Sequence, residues 1–193
     1  MPSVLYIHGF LSSPRSAKAV ETQQWLAQHR PDLAFICPYL PPYPDQAASI
    51  LLESIEQASG PVGVMGSSLG GFWATWLVET QGMRALLINP SVNPMKLLPQ
   101  FIGSDVENYH TGDSYRLTQQ HLTELARYHQ PVIKRHDNYW LLAQTGDETL
   151  DYRLAVEKYR GCRQTIEPGG DHSFQGFSRF IQQGVDFVTQ DNP

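Results

Sequence analysis

The sequence predicts one α/β domain, with a mostly parallel sheet of about six strands flanked by helices. Short apolar runs recur along the chain, segments with helical periodicity separate them, and no flexible linker divides the 193 residues. The apolar runs are continuous rather than alternating, which is typical of strands covered on both faces. A chain of this length suffices for a single sizeable hydrophobic core.

Six short apolar segments are the predicted strands. They are residues 4–7, 34–37, 62–65, 85–88, 139–143 and 165–166. Two apolar stripes at helical spacing lie between or after them, and we expect both to face the core. The first stripe is Ala48, Leu51, Leu52 and Ile55, and the second begins with Phe177, Phe180 and Ile181.

A long insertion separates the fourth predicted strand from the fifth. It covers residues 90–138 and carries aromatic and polar side chains. Long connections within a compact domain often hold function. We therefore predict that the insertion forms a lid over the site and sets its specificity, within one domain that spans residues 1–193.

The turn after the third predicted strand reads Gly-Ser-Ser-Leu-Gly at residues 66–70. It matches the G-x-S-x-G turn that presents a nucleophilic serine between a strand and a helix. Gly66 and Gly70 fit the tight flanks when Ser68 is the nucleophile, whereas Ser67 would place larger side chains there. A plain connecting turn, or an anion site at a helix start, is the alternative. The Walker A lysine and the G-x-G-x-x-G spacing of nucleotide-binding loops are missing.

A serine nucleophile needs a base and an orienting acid, which follow in the order Ser, Asp/Glu, His in one large class of α/β enzymes. His172, after the last predicted strand, is the candidate general base. Asp147, after the fifth strand, is the candidate acid. Glu148, Asp151 and Asp171 remain alternatives for the acid, although Asp151 also suits the cap of a helix that begins near residue 152.

The backbone amides of Phe10 and Leu69 are the candidate donors for a developing oxyanion. Phe10 follows the first strand, where Gly9 lets the backbone turn into the site. His8 precedes the serine and is therefore expected to support the loop rather than act as the base. Ser12 and Ser13 are expected to cap the first helix, and Arg15 could meet an anionic substrate group.

Other candidate residues concern the substrate and metals. Tyr43, in the proline-rich loop after the second strand, is a candidate for lining the substrate pocket. Four histidines of the insertion lack the compact spacing of metal ligands, so we expect neither a metal nor another cofactor. They are His110, His121, His129 and His136.

Composition limits the partners and the compartment. The net charge of −5 comes from 14 basic and 19 acidic residues, with no basic patch for nucleic acid or an anionic membrane surface. A small-molecule partner is therefore expected. Cys37 and Cys162 fall in separate predicted strands, so buried free thiols are expected. The N-terminus lacks a signal-like apolar stretch, which predicts a cytoplasmic protein of unknown oligomeric state.

Five segments resemble the YqiA-like esterases, a family of small bacterial α/β-hydrolase-fold proteins, and the resemblance extends over nearly the whole chain. The segments are residues 8–16, 41–44, 66–71, 145–153 and 169–174. The resemblance implies hydrolysis of carboxylic esters or thioesters by Ser68, His172 and Asp147. One departure is residues 89–94, which read Asn-Pro-Ser-Val-Asn-Pro where the family is expected to carry an arginine.

Two functions therefore compete. The first is a serine esterase that works through an acyl-enzyme, with thioesters such as acyl-CoA as further possible substrates. The second is a non-catalytic ligand-binding or interaction protein on the same fold. The ordered Ser, Asp, His series favours catalysis.

Overall fold

Six strands form one fully parallel sheet in the computed structural model, which describes residues 1–108 and 111–190. The eight strands of that part of the chain are β1 (Ser3–Ile7), β2 (Ala34–Ile36), β3 (Val62–Ser67), β4 (Ala85–Ile88), β5 (Asp105–Glu107), β6 (Ser114–Arg116), β7 (Tyr139–Gln144) and β8 (Arg163–Glu167). The large sheet has the order β2-β1-β3-β4-β7-β8, and β5 and β6 form a separate antiparallel pair. The predicted α/β class and six-stranded sheet are confirmed.

Helices cover both faces of the sheet. They are α1 (Ala17–His29), α2 (Pro44–Glu56), α3 (Leu69–Gln81), α4 (Gln119–Arg127), α5 (Tyr152–Lys158) and α6 (Ile181–Val188). Buried residues of α1 and α6 pack on one face, whereas those of α2, α3 and α5 pack on the other. Strands β1, β4 and β7 are buried along their whole length, which explains their unbroken apolar character.

The last strand is longer than its sequence pattern predicted. β8 runs over Arg163–Glu167 at the edge of the sheet, and its polar side chains are half-buried or exposed. An edge strand has a hydrogen-bonded neighbour on one side only, and its side chains are less covered. The ends of β8 therefore lack the apolar residues by which the other strands were predicted. The prediction that the first helical stripe faces the core is wrong for Leu52, which is 40% exposed. Helix α2 instead turns Ala47, Ala48 and Leu51 to the core. In the second stripe, Phe177 and Ile181 are buried.

The two cysteines lie beside strands rather than within them. Cys37 follows β2 and Cys162 precedes β8, and both are half-buried free thiols. Burial raises the pKa of Cys37 to about 12 and that of Cys162 to about 11. Neither thiol is therefore activated as a nucleophile.

The insertion is attached to the domain at several points. Asn108 Nδ2 donates to the Ser12 carbonyl oxygen over 3.0 Å, and Tyr128 Oη donates to Asp45 Oδ1 over 2.8 Å. Arg127 pairs with the same carboxylate. These contacts hold the end of β5 against the loop after β1, and the end of α4 against the start of α2. Whether the insertion acts as a lid stays a prediction.

The helices give no indication of a membrane span. In the described ranges, none of them combines the length and the apolar character that crossing a bilayer requires.

Candidate active site

Ser68 lies at a sharp bend between β3 and α3. Its backbone has φ 55° and ψ −120°, a region that costs a non-glycine residue about 1–3 kcal/mol. The flanking glycines make the bend possible, because a Cβ at Gly70 would overlap the Ile7 carbonyl oxygen and one at Gly66 would overlap that of Gly70. The sequence pattern at residues 66–70 thus corresponds to a strand–bend–helix unit whose corner is the half-buried Ser68.

The structure brings Ser68, His172 and Asp147 together from loops after β3, β8 and β7. Ser68 Oγ lies 3.0 Å from His172 Nε2, while His172 Nδ1 lies 2.9 and 3.0 Å from the two carboxylate oxygens of Asp147. Since a carboxylate only accepts, Nδ1 carries the proton and Nε2 is free to accept from the serine hydroxyl. This order of donors and acceptors is what proton removal from Ser68 requires.

Backbone amides hold the Asp147 carboxylate in place. Its side chain is 1% exposed, and Oδ1 accepts from the amides of Thr149 and Leu150 over 2.9 and 2.8 Å. The carboxylate therefore keeps one orientation toward the His172 ring, because four donor contacts fix both oxygens.

The three alternative acids have other partners. Glu148 Oε2 accepts from the backbone amide of His172 over 3.0 Å, so it supports the histidine loop. Asp151 is the N-cap of α5 and accepts from the Arg153 amide. Asp171 accepts from the side chains of Ser173 and Gln175, and these bonds lower its pKa. None of the three contacts the His172 ring in the described part of the chain.

Phe10 and Leu69 lie beside Ser68, as expected of oxyanion donors. Both line the cavity that Ser68 opens into, and within the described residues neither backbone amide donates a hydrogen bond to the protein. Gly9 keeps the approach open, because a Cβ there would lie 3.3 Å from the Ser68 Cβ. The arrangement suits a ligand oxygen that accepts from both amides. Their role stays a prediction.

The loop after β1 differs from its prediction in one detail. His8 is 3% exposed, and its Nε2 accepts from the Leu40 amide over 3.0 Å, so it supports the loop as expected. Ser13 does not cap α1: its Oγ accepts from the Arg15 amide, before the helix, whose N-cap is Ser16. Arg15 is exposed and lies outside the walls of the cavities beside Ser68.

Two cavities meet at Ser68 and His172. The apolar cavity, of about 250 Å³, is lined by Phe10, Leu69 and side chains of the insertion. Its insertion side includes Pro94, Leu97, Leu98, Gln100 and Phe101. The polar cavity, of about 190 Å³, lies on the other side and contains Ser12, Ser16 and Lys18. Lys18 Nζ donates to the Ser173 carbonyl oxygen over 2.6 Å, and burial lowers its pKa.

Tyr43 is not in either cavity wall. It precedes Pro44, the first residue of α2, and its ring packs against Tyr115 and His121 of the insertion. The expectation that Tyr43 lines the pocket beside Ser68 is corrected, because the helix start turns the ring toward the insertion.

The remaining histidines are dispersed. The Phe72 ring stacks on His129, and His121 Nδ1 accepts from the Thr118 amide at the start of α4. His136 belongs to the short turn before β7, and His110 lies outside the described residues. Over residues 1–108 and 111–190, no three His, Cys, Asp or Glu side chains cluster as metal ligands would.

The chain matches the sequence family described as uncharacterised protein family UPF0227 over residues 3–189. The chain belongs to the UPF0227 family. This is the YqiA-like family that the sequence resembled. A UPF0227 protein of Serratia proteamaculans (strain 568) is 26% identical over 193 residues, which cover 96% of this chain and 98% of that protein.

Solved structures place the UPF0227 chain in the α/β-hydrolase fold. Alpha/beta hydrolase domain-containing protein 10 from mouse has a TM-score of 0.76 at 15% identity, over 97% of this chain and 90% of that one. A monoacylglycerol lipase from Paleococcus ferrophilus has a TM-score of 0.68 at 16% identity, over 96% of this chain and 93% of that one. At these identities the likeness concerns the fold alone.

Asn89 is a site residue of this UPF0227 chain that the motifs did not reveal. It follows β4 with φ 40°, and its Nδ2 donates to the carbonyl oxygens of Asp171 and His172 over 2.9 and 3.1 Å. Its Oδ1 accepts from the Gln144 amide, and Gln144 Oε1 in turn accepts from the Gln175 amide over 2.8 Å. Asn89 and Gln144 are 3% exposed and fix the loop that carries His172. The signal available in the sequence was a polar residue directly after the apolar run of β4.

Proposed function

We propose that the protein is a serine hydrolase that cleaves carboxylic esters through an acyl-enzyme on Ser68. The observation that carries the proposal is the hydrogen-bonded series from Ser68 Oγ through His172 to Asp147, at 2.9–3.0 Å. Membership in the α/β-hydrolase fold supports it, because this fold presents such a series at the ends of its strands.

Each residue has a defined part in the proposed reaction. His172 Nε2 takes the Ser68 proton as Oγ attacks the acyl carbon, and the amides of Phe10 and Leu69 donate to the resulting oxyanion. His172 then gives that proton to the departing alcohol. Water attacks the acyl-enzyme while His172 takes one of its protons, and His172 then returns that proton to Ser68 Oγ as the bond to the acyl carbon breaks and the carboxylic acid leaves. Thioesters fit the same steps, because Ser68 attacks the same acyl carbon.

Hydrolysis of p-nitrophenyl esters of graded acyl length by the wild-type and Ser68→Ala proteins tests the proposal. We expect Ser68→Ala to lower kcat by about 10⁴-fold or more, because the nucleophile is lost. Labelling with a fluorophosphonate should likewise disappear. Thermal unfolding of both proteins checks that the variant is folded.

Ser67→Ala is the matched control. Ser67 is the last residue of β3 and the adjacent serine of the same turn, so the variant should keep both turnover and the label. Turnover that persists in folded Ser68→Ala, or a label that maps to another residue, would refute the assignment. A ligand-binding protein without turnover would show neither hydrolysis nor labelling in the wild type.

A further inference from the structure

A third cavity, which we call the outer groove, adjoins the apolar cavity. It has a volume of about 480 Å³, larger than either cavity beside Ser68. Four residues line both the groove and the apolar cavity, so the two spaces meet along a shared wall. These residues are Ser91, Leu97, Thr149 and Leu150. A ligand long enough to pass over these four residues would reach from Ser68 into the outer groove.

Lys158, the last residue of α5, brings an ammonium group into this groove. Its Nζ donates to the Val92 carbonyl oxygen at the long distance of 3.4 Å. No carboxylate of the described residues lies within ion-pair distance of it, and burial lowers its pKa to about 8. A half-buried cation of this kind gains free energy when an anion arrives.

The surrounding groups leave the charge of Lys158 largely unneutralised. Glu79 favours the charged form from a distance, but its carboxylate accepts from Tyr139 Oη and from the Lys134 amide. Burial and Lys158 both lower the pKa of His129, which favours the neutral form of this imidazole. The other ionisable groups of the groove wall are Lys96, Asp151 and Glu157.

The two carboxylates of the groove wall are already bound. Asp151 pairs with Arg153, and Glu157 pairs with Arg160, at exposed positions. Asn93, in the same wall, has a buried Oδ1 with no hydrogen-bond partner among the described residues. Because this oxygen is shielded from solvent, it adds no exposed acceptor that would repel an anion in the groove.

We propose that the outer groove holds the far end of an ester substrate, and that Lys158 binds an anionic group there, a carboxylate or a phosphate. The inference rests on the proposed function, because it takes the scissile ester to lie at Ser68. The substrate class that follows is an ester with an apolar chain between the reacting carbonyl and a terminal anion.

Two series of substrates test this assignment. One contains the p-nitrophenyl half-esters of dicarboxylic acids of increasing length, and the other contains p-nitrophenyl alkanoates of the same lengths. We expect the ratio of kcat/KM, anionic to neutral, to rise at one chain length in the wild type. It should fall by about tenfold in Lys158→Met, as the loss of one charged hydrogen bond predicts. A third series, of p-nitrophenyl esters whose acyl chain ends in a phosphate instead of a carboxylate, shows which of the two anions is preferred.

Matched variants separate charge from packing. Lys134→Met removes an exposed lysine outside the groove wall and should leave the ratio unchanged.

In the wild type the ratio should be high below pH 8 and fall as the pH rises through about 8, because Lys158 loses its proton there while the carboxylate stays ionised. Lys158→Arg should keep the ratio up to pH 9, because a guanidinium stays charged.

Three results would overturn the inference. These are equal ratios at every chain length in the wild type, a ratio that survives in folded Lys158→Met, and a ratio that does not change with pH. Failure of the proposed function looks different, since neither series would then be hydrolysed. Calorimetric binding of the free dicarboxylic acids to Ser68→Ala, compared with monocarboxylic acids of the same lengths, measures the same preference without turnover.

Discussion

The trio Ser68, Asp147 and His172 and the wall opposite it are built in different ways. Ser68, Asp147 and His172 follow parallel strands, and buried side-chain and backbone hydrogen bonds fix each of them. The opposite wall comes from the insertion, where residues 94–101 form two short turns with several exposed side chains. Chemistry should therefore depend on the sheet, whereas substrate range should depend on the insertion. The following predictions test that division, from the largest expected effect to the smallest.

Asp147→Asn should have the largest effect. The amide cannot serve as a two-oxygen acceptor for Nδ1–H, so His172 loses its tautomer and orientation, and kcat should fall by about 10³–10⁴-fold. Steady-state kinetics on a short p-nitrophenyl ester measures this, with KM little changed. Asp151→Asn is the matched control, because asparagine is an equally good N-cap and turnover should persist. Equal losses in both variants would contradict the assignment of Asp147.

Asn89→Asp should have an intermediate effect. The variant keeps the Oδ1 acceptor for Gln144 but loses the donations to the carbonyl oxygens of Asp171 and His172. Because it also places a carboxylate beside those oxygens, kcat should fall by about 10–100-fold and the free energy of unfolding by about 2–4 kcal/mol. Kinetics and urea unfolding give the two values.

Asn138→Asp is the control for Asn89→Asp, because Asn138 makes similar hydrogen bonds away from the site. Asn138 Nδ2 also donates to two carbonyl oxygens, those of Gly82 and Met83, over 3.2 and 3.0 Å. We expect this variant to lose stability without loss of kcat per folded molecule. If both variants lowered kcat equally, the Asn89 effect would reflect general loosening of the fold rather than the placement of His172.

Leu97→Ala should have the smallest effect, and only on longer substrates. Leu97 lines both the apolar cavity and the outer groove and is 36% exposed. Its partial contact with an acyl chain is worth about 1 kcal/mol, so kcat/KM for long esters should fall about fivefold while that for the acetate stays constant. Val132→Ala, at a 70% exposed position outside these walls, should change neither. A loss of kcat/KM on the acetate ester would contradict this prediction, because Leu97 would then affect the reaction at Ser68 itself.

The sequence predicted the sheet and the sharp bend between β3 and α3 well because both depend on short-range signals. Buried parallel strands require continuous apolar runs, and the bend at Ser68 requires small residues at Gly66 and Gly70. The β5–β6 pair was not predicted, because three-residue strands with alternating exposure lack such a run. Leu52 was misplaced because helical spacing alone does not determine which way a helix is rotated.

The contacts between loops could not be predicted from local patterns. The sequence favoured Asp147 as the acid but left Glu148 open, because the choice depends on which carboxylate the β7 loop turns toward His172. The hydrogen bonds of Asn89 join loops that are more than 80 residues apart in the chain. Tyr43 was expected beside Ser68, but the direction of its ring depends on how α2 meets the insertion.

Helix α3 limits how far the insertion can move. Every residue from Gly70 to Val78 is buried, and the rings of Trp73 and Trp76 lie 5.1 and 5.0 Å from Tyr128, just beyond α4. Lifting α4 away would therefore expose two tryptophan rings to water, at a cost of several kcal/mol. Any opening of the site would consequently be confined to the part of the insertion that precedes α4, while the segment around Tyr128 belongs to the core of the domain.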